Sequence, residues 1–234
     1  MPKQTRLDDD ASIYQPRKVQ TEKEKLKEMS FRKKIEYLGE YYKFHALVAV
    51  VIIAAGIYII NTILNPASST QFYAAIINSS ADENTMKKYN LDFAKYLDLD
   101  TAKQNVDLNT TYYLGSQDSY SMNLREALLT RISAKEVDVI IAPESEFYQY
   151  AYAGGFVKLS GLLPTDIYSS LADNLYLTHT EDDNEQSAYG IYLSGTEFNK
   201  IISKNSEPYI IGILANSRHM NHSIEFVRYL FKNK

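Results

Sequence analysis

VDVIIAPESEFYQYAYAGGFVKLSGLL, residues 137–163, is the stretch on which the fold turns. Its first six residues, 137–142, are β-branched and apolar apart from one aspartate, the pattern of a strand covered on both faces. Pro143 stops that strand and is suited to open a helix at its first turn. Phe147, Tyr148, Ala151 and Tyr152 recur at helical spacing until Gly154 and Gly155 end it. Residues 156–163 read as a short extended piece running into Pro164, Thr165 and Asp166, whose polar groups cap a helix over 167–171.

The same alternation continues on either side. Upstream, residues 72–78, FYAAIIN, read as a buried strand followed by a turn at Ser79 to Asp82. Met86, Tyr89, Phe93, Tyr96 and Leu97 predict a helix over 83–97, residues 106–114 a second strand, and Leu124, Leu128 and Ile132 a helix ending near Ala134. Downstream come a polar, hairpin-like region around 181–186, a strand at 188–193, a brief helix at 196–202 and an apolar strand at 209–214. A final helix carries Met220, Ile224, Val227 and Phe231 on one face. Strands separated by helices call for crossover connections, so the expected fold class is α/β, a largely parallel sheet with helices on both faces.

Ahead of this domain, residues 46–64, ALVAVVIIAAGIYIINTIL, carry no charge and match the roughly 20 residues that a helix needs to cross a hydrocarbon core. They predict one uncleaved transmembrane helix, since more than forty residues precede it and a secretory signal is shorter at both parts. Residues 1–20 read as a disordered tail. Residues 21–45 read as an amphipathic juxtamembrane helix with Phe31, Ile35, Leu38 and Tyr42 on one stripe. Residues 65–71 read as a linker, and 72–234 as one extracellular α/β domain. Arg32, Lys33, Lys34 and Lys43 crowd the amino-terminal flank while no Lys or Arg follows until Lys87, which places the N-terminus in the cytoplasm and the C-terminal domain outside the cell membrane. Residues 1–64 hold 11 basic and 8 acidic side chains, and residues 65–234 hold 14 and 21. An acidic outer domain argues against a nucleic-acid partner. With no cysteine, disulfides, thiol catalysis and Cys-ligated metal are excluded.

These residues carry a resemblance. Residues 137–163 resemble the core segment of extracellular solute-binding proteins with the type II periplasmic-binding fold, in which a D-V-apolar strand precedes a helix ending in A-G. AYGIYL, residues 188–193, is similar to their crossover strand, and IIGILANSRHMNHSIEFVRYLF, residues 210–231, to their later strand, Asn-Ser turn and closing helix. The layout of one anchor followed by this domain looks like membrane-anchored proteins of Gram-positive bacteria. The chain departs from the pattern in having room for little more than one lobe and no cysteine for a lipid anchor.

In open α/β sheets, ligands sit beyond the carboxyl ends of the strands. The candidate ligand-binding residues are therefore Asn78, Ser79 and Ser80 after the first strand, Ser116, Gln117 and Asp118 after the second, Glu144 and Ser145 after the third, and Asn216 and Ser217 after the last, with Tyr189 as a flat contact. The same residue types also cap helices and turn chains. His219 and His222 lack a third metal ligand, and the acidic run 181–185 lacks the glycine and glutamate of a calcium loop. No nucleophile elbow, phosphate loop or dinucleotide fingerprint is present, so neither an enzyme nor a cofactor is expected. The expected function is a single-pass, anchored binding module for a small solute or peptide, its partners the lipid bilayer and that ligand. The alternative is a non-enzymatic accessory subunit of a membrane protein complex that uses the outer domain as a docking surface.

Overall fold

The computed structural model describes residues 21–64, 68–116, 118–203 and 208–232. The chain divides into two compact units, Met1–Asn65 and Pro66–Lys234. In the first, α1 (Glu22–Glu28) ends at an extended Met29, and α2 (Phe31–Leu64) runs unbroken for 34 residues. The sequence pattern divides this stretch at residue 45, but the backbone does not. It contains no proline, and its glycines, Gly39 and Gly56, lower helix propensity without breaking the ladder. Within α2, Tyr42–Ile63 is long and apolar enough to cross a membrane, and none of it is buried in the protein. Phe31 and Ile35 on the preceding stripe are exposed as well. The tail read over 1–20 lies outside the described residues, as do residues 65–67 of the linker.

The second unit is built on one six-stranded sheet. Its strands are β1 (Ser69–Ile77), β2 (Gln104–Tyr112), β3 (Val139–Pro143), β4 (Leu175–Thr178), β5 (Ser187–Tyr192) and β6 (Tyr209–Ile213), in the order β2-β1-β3-β6-β5-β4. Strand β1 pairs parallel with β2 and β3, whereas the β3–β6, β6–β5 and β5–β4 pairs are antiparallel. The largely parallel sheet expected from the sequence is thus corrected to a mixed, mostly antiparallel one. Connection length gives the reason. Helices α3 (Glu83–Tyr96) and α4 (Ser119–Ser133) are long enough to carry the chain back along β1 and its neighbours. Beyond β3 the chain runs through α5 (Glu144–Tyr152), α6 (Leu159–Leu162) and α7 (Thr165–Ser170) to β4. Only residues 179–186 then separate β4 from β5, too few for a crossover. Helix α8 (Glu197–Ile202), between β5 and β6, rises about 9 Å against about 20 Å for a six-residue strand. Sequence reading passes over two elements of four residues each: β4, and α6, which lies within residues 156–163 that read as extended.

Alternate residues of the central strands supply two cores. Phe72, Ala74 and Ile76 of β1, with Val139 and Ile141 of β3, face α3, α8 and α9 (Met220–Phe231). There the rings of Phe72, Phe93 and Phe226 meet with centroids 4.8–5.2 Å apart. On the other face Tyr73, Ala75, Ile77, Ile140 and Ala142 pack with Leu128 of α4 and Phe147 of α5. Burial on both faces explains the unbroken apolar run that makes β3 so legible in sequence. Helices α3 and α4 start at Asp82 and Asp118, whose carboxylates accept from Thr85 N at 3.0 Å and Ser121 N at 2.8 Å. The Thr85 hydroxyl and then its amide hold the Asp82 carboxyl below the usual aspartate range, and the Ser121 amide first does the same for Asp118.

The glycines of β5 and β6 are required by an aromatic ring. The outer end of the Phe147 ring sits against Gly190 and Gly212, and the ring stacks on Phe156 at a centroid distance of 4.4 Å and an interplanar angle of 8°. A Cβ on Gly212 would meet Phe147 Cζ at 2.7 Å and Phe156 Cδ1 at 2.8 Å, inside van der Waals contact. We expect Gly212→Ala to lower the stability of the second unit by about 1–3 kcal/mol. Guanidinium unfolding of the full chain in mild detergent checks this, and an unchanged midpoint would remove Phe147 from that seat.

Candidate functional site

Because β6 runs antiparallel to β3, residues that follow the strands divide between the two ends of the sheet. Asn78, Ser79, Ser80, Ser116, Asp118, Glu144 and Ser145 gather at the carboxyl end of the parallel strands. Asn216 and Ser217 lie at the opposite end, beside the start of β3, where Leu214 N donates to Asp138 O at 3.0 Å. The single site expected from the sequence is therefore two sets of residues. Gln117 lies outside the described residues, and Tyr189 is buried in the core with Phe147, so it is not a surface contact.

At the carboxyl end the first three candidates tie elements together. Asn78 sits in the left-handed region, with φ 55°, and its Oδ1 accepts from Leu114 N at 2.7 Å. Its carbonyl accepts from the Tyr209 hydroxyl at 2.6 Å. Ser79 is buried and its Oγ accepts from Ala81 N, while Ser80 donates through both N and Oγ to Ile202 O. Glu144 faces Tyr192, whose hydroxyl is pushed up to about 12 by burial first and then by the Glu144 carboxylate.

Beside these residues opens a cleft of about 580 Å³ lined by Leu114, Gly115, Ser116, Ser121, Arg125 and Glu146, with Met122 and Gln149. Arg125 Nη2 contacts both Glu146 oxygens, at 3.2 and 3.1 Å, so the cleft's cation and anion neutralise each other. Ser116 Oγ and Ser121 Oγ share one hydrogen bond of 2.7 Å and both also address the Asp118 carboxylate, so what the two hydroxyls keep for a ligand is acceptor capacity. Tyr113 and Tyr120, next in sequence to the lining residues, are 51% and 64% exposed. Sequence reading found Ser116 but missed Arg125 and Glu146, which lie on different helices 21 positions apart.

At the amino end the centre is Asp138, 1% exposed. One carboxylate oxygen, Oδ2, accepts from Tyr73 N at 2.9 Å and faces His219 Nδ1 at 3.1 Å. The other, Oδ1, accepts from Ser217 Oγ at 2.6 Å and His219 N at 3.1 Å. Serine, histidine and aspartate thus meet here, but in an order unsuited to nucleophilic catalysis. The serine hydroxyl donates to the carboxylate, whereas a nucleophile must surrender its proton to the imidazole. The His219 and His222 rings stack at 5.9 Å, and His222 Nδ1 lies 2.7 Å from Gln71 O. Among the described residues no group of three or more His, Cys, Asp or Glu is arranged to hold a metal. The one charge in an otherwise apolar strand pattern, VDVIIA, was the signal from which this cluster could have been found.

No family model, curated protein or solved structure matches this chain.

Replacing Asp138 by Asn removes the charge that four donors address and substitutes two N–H groups where acceptors are needed. We expect Asp138→Asn to cost about 2–3 kcal/mol, read as a lowered midpoint of chemical unfolding. A midpoint within error of the parent would mean that the network carries no stability.

Proposed function

We propose that the protein is a single-pass, membrane-anchored binding module, and that the cleft beside Arg125 and Glu146 takes a small, uncharged polar solute or a peptide segment. The observation that carries this reading is the charge balance of the cleft. Its one guanidinium is matched by one carboxylate, so what it offers a ligand is hydrogen bonding from Ser116, Ser121 and Gln149 beside the apolar Leu114 and Met122. Anchoring is supported by Tyr42–Ile63, an apolar helix with no buried residue, which water solvates poorly. The basic flank ahead of it supports a cytoplasmic N-terminus and an outward-facing second unit. The likeness of residues 137–163 and 210–231 to solute-binding proteins supports one lobe of a type II binding fold.

A second reading, the accessory subunit of a membrane complex, draws on a different observation. Tyr120, Met122 and Leu129 of α4 are all exposed. Thermal unfolding of the full chain in phosphatidylcholine nanodiscs, against panels of neutral sugars, amino acids and short peptides, separates the two. At about 100 times Kd a ligand adds about 2.7 kcal/mol, a Tm rise of about 5 °C or more for a unit of this size. Glu146→Gln is expected to weaken that response about tenfold by unbalancing the pair. No rise with any panel, together with recovery of a stoichiometric membrane partner, would replace the binding reading with the docking one.

Orientation has its own test. Protease added to intact cells is expected to cut the exposed acidic loop at Glu181 and Asp182 and to spare the residues ahead of α2. The reverse pattern would invert the topology.

A further inference from the structure

We propose that the amino end of the sheet carries a second site, one that binds a phosphate-class oxyanion through Arg131, Lys135 and Arg218. A cleft of about 260 Å³ opens there between the end of α4, strand β2 and the turn after β6. The second unit has an acidic excess, yet this cleft brings three of its cations together from two separate elements.

Each acid that faces the cleft is already engaged or weakened. Asp138 is saturated by four donors and nearly fully buried. Burial pushes the Asp107 carboxyl up, towards its neutral form. Glu136 Oε2 stands 3.8 Å from Arg131 Nε, a loose pair with both partners about half exposed, which solvent screens.

The cations keep capacity to spare. The Arg131 guanidinium carbon lies 5.0 Å from the centroid of the Tyr73 ring, a contact that orients its fork. Arg218 Nη2 donates to Ala134 O at 2.9 Å, one of five N–H groups on that side chain. Lys135 is exposed, is held at φ 59° and forms no ion pair among the described residues.

A bland account would have these cations offset the negative end of α4. The carbonyls there have other donors, however. Thr130 O accepts from Ala134 N, Arg131 O from Glu136 N, and Ile132 O from both Lys135 N and Asn216 Nδ2. Only Arg218 is spent on the helix end, and guanidinium forks are the groups best matched to phosphate oxygens.

The chemistry has two sources, a phospholipid headgroup or a free phosphate-bearing solute. Thr70 lines the cleft, and only five residues separate it from Leu64, the last of α2. The test places the full chain in phosphatidylcholine nanodiscs and follows amide hydrogen exchange over residues 131–138 and 214–219. In one arm inorganic phosphate is titrated against chloride at matched ionic strength. In the other, phosphatidylglycerol replaces part of the lipid with no phosphate added.

Saturable slowing with phosphate alone supports the site and assigns it to a soluble anion, and slowing with phosphatidylglycerol alone supports it and assigns it to lipid. Slowing in neither arm, or equal slowing by chloride, overturns the proposal. Lys135→Gln removes a side chain the fold does not use. It is expected to weaken the phosphate or lipid response about tenfold, without altering any Tm response to a ligand of the Arg125–Glu146 cleft. An unchanged response in that variant together with Arg131→Gln overturns the proposal too. Because the two clefts share no lining residue, failure at one leaves the reading of the other intact.

Discussion

The second unit depends on one buried charge. A carboxylate withdrawn from water is tolerable only where donors replace its hydration. Asp138 obtains them from β1, through Tyr73 N, and from the turn after β6, through Ser217 and His219. Parallel and antiparallel halves of the sheet meet at β3, which pairs with β1 on one side and β6 on the other. The aspartate at its head ties both neighbours to the same point. That tie turns residues 214–219 back towards the end of α4, where Asn216 and Arg218 reach its carbonyls. The shape of the cationic cleft follows from it.

The sheet's other constraint is steric. Every residue of β3 and β6 is buried, so side-chain volume must be balanced across two faces. On one face three phenylalanines interlock. On the other, Gly190 and Gly212 leave room for the ring of Phe147, which stacks on Phe156. Phe147 in turn fixes α5, the helix that presents Glu146 to Arg125. Core packing therefore positions the helix that carries one half of the Arg125–Glu146 pair.

How much of this was legible in the sequence varies with the range of the forces involved. Most strand and helix segments were readable to within a few residues, because burial imposes its period on neighbouring residues, although residues 156–163, read as extended, contain α6 and β4 went unread. Residues 209–214, 83–97 and 137–142 became β6, α3 and the head of β3 within a residue or two. The site was less readable. Ser116 does line a cleft, but Asn78, Ser79 and Ser80 hold strands and helices together, and Ser217 serves Asp138 at the other end.

By itself, then, the sequence determined the mixed α/β character and the apolar helix within α2, since each rests on local composition and periodicity. Tertiary structure alone decided strand direction, and with it which loops share an end. Hydrophobic alternation is the same whether a strand runs up or down, so nothing in YIIGI announces that β6 opposes β3. The pairing of Arg125 with Glu146 and the gathering of Arg131, Lys135 and Arg218 were equally hidden. Proximity across a fold is set by packing, not by spacing along the chain.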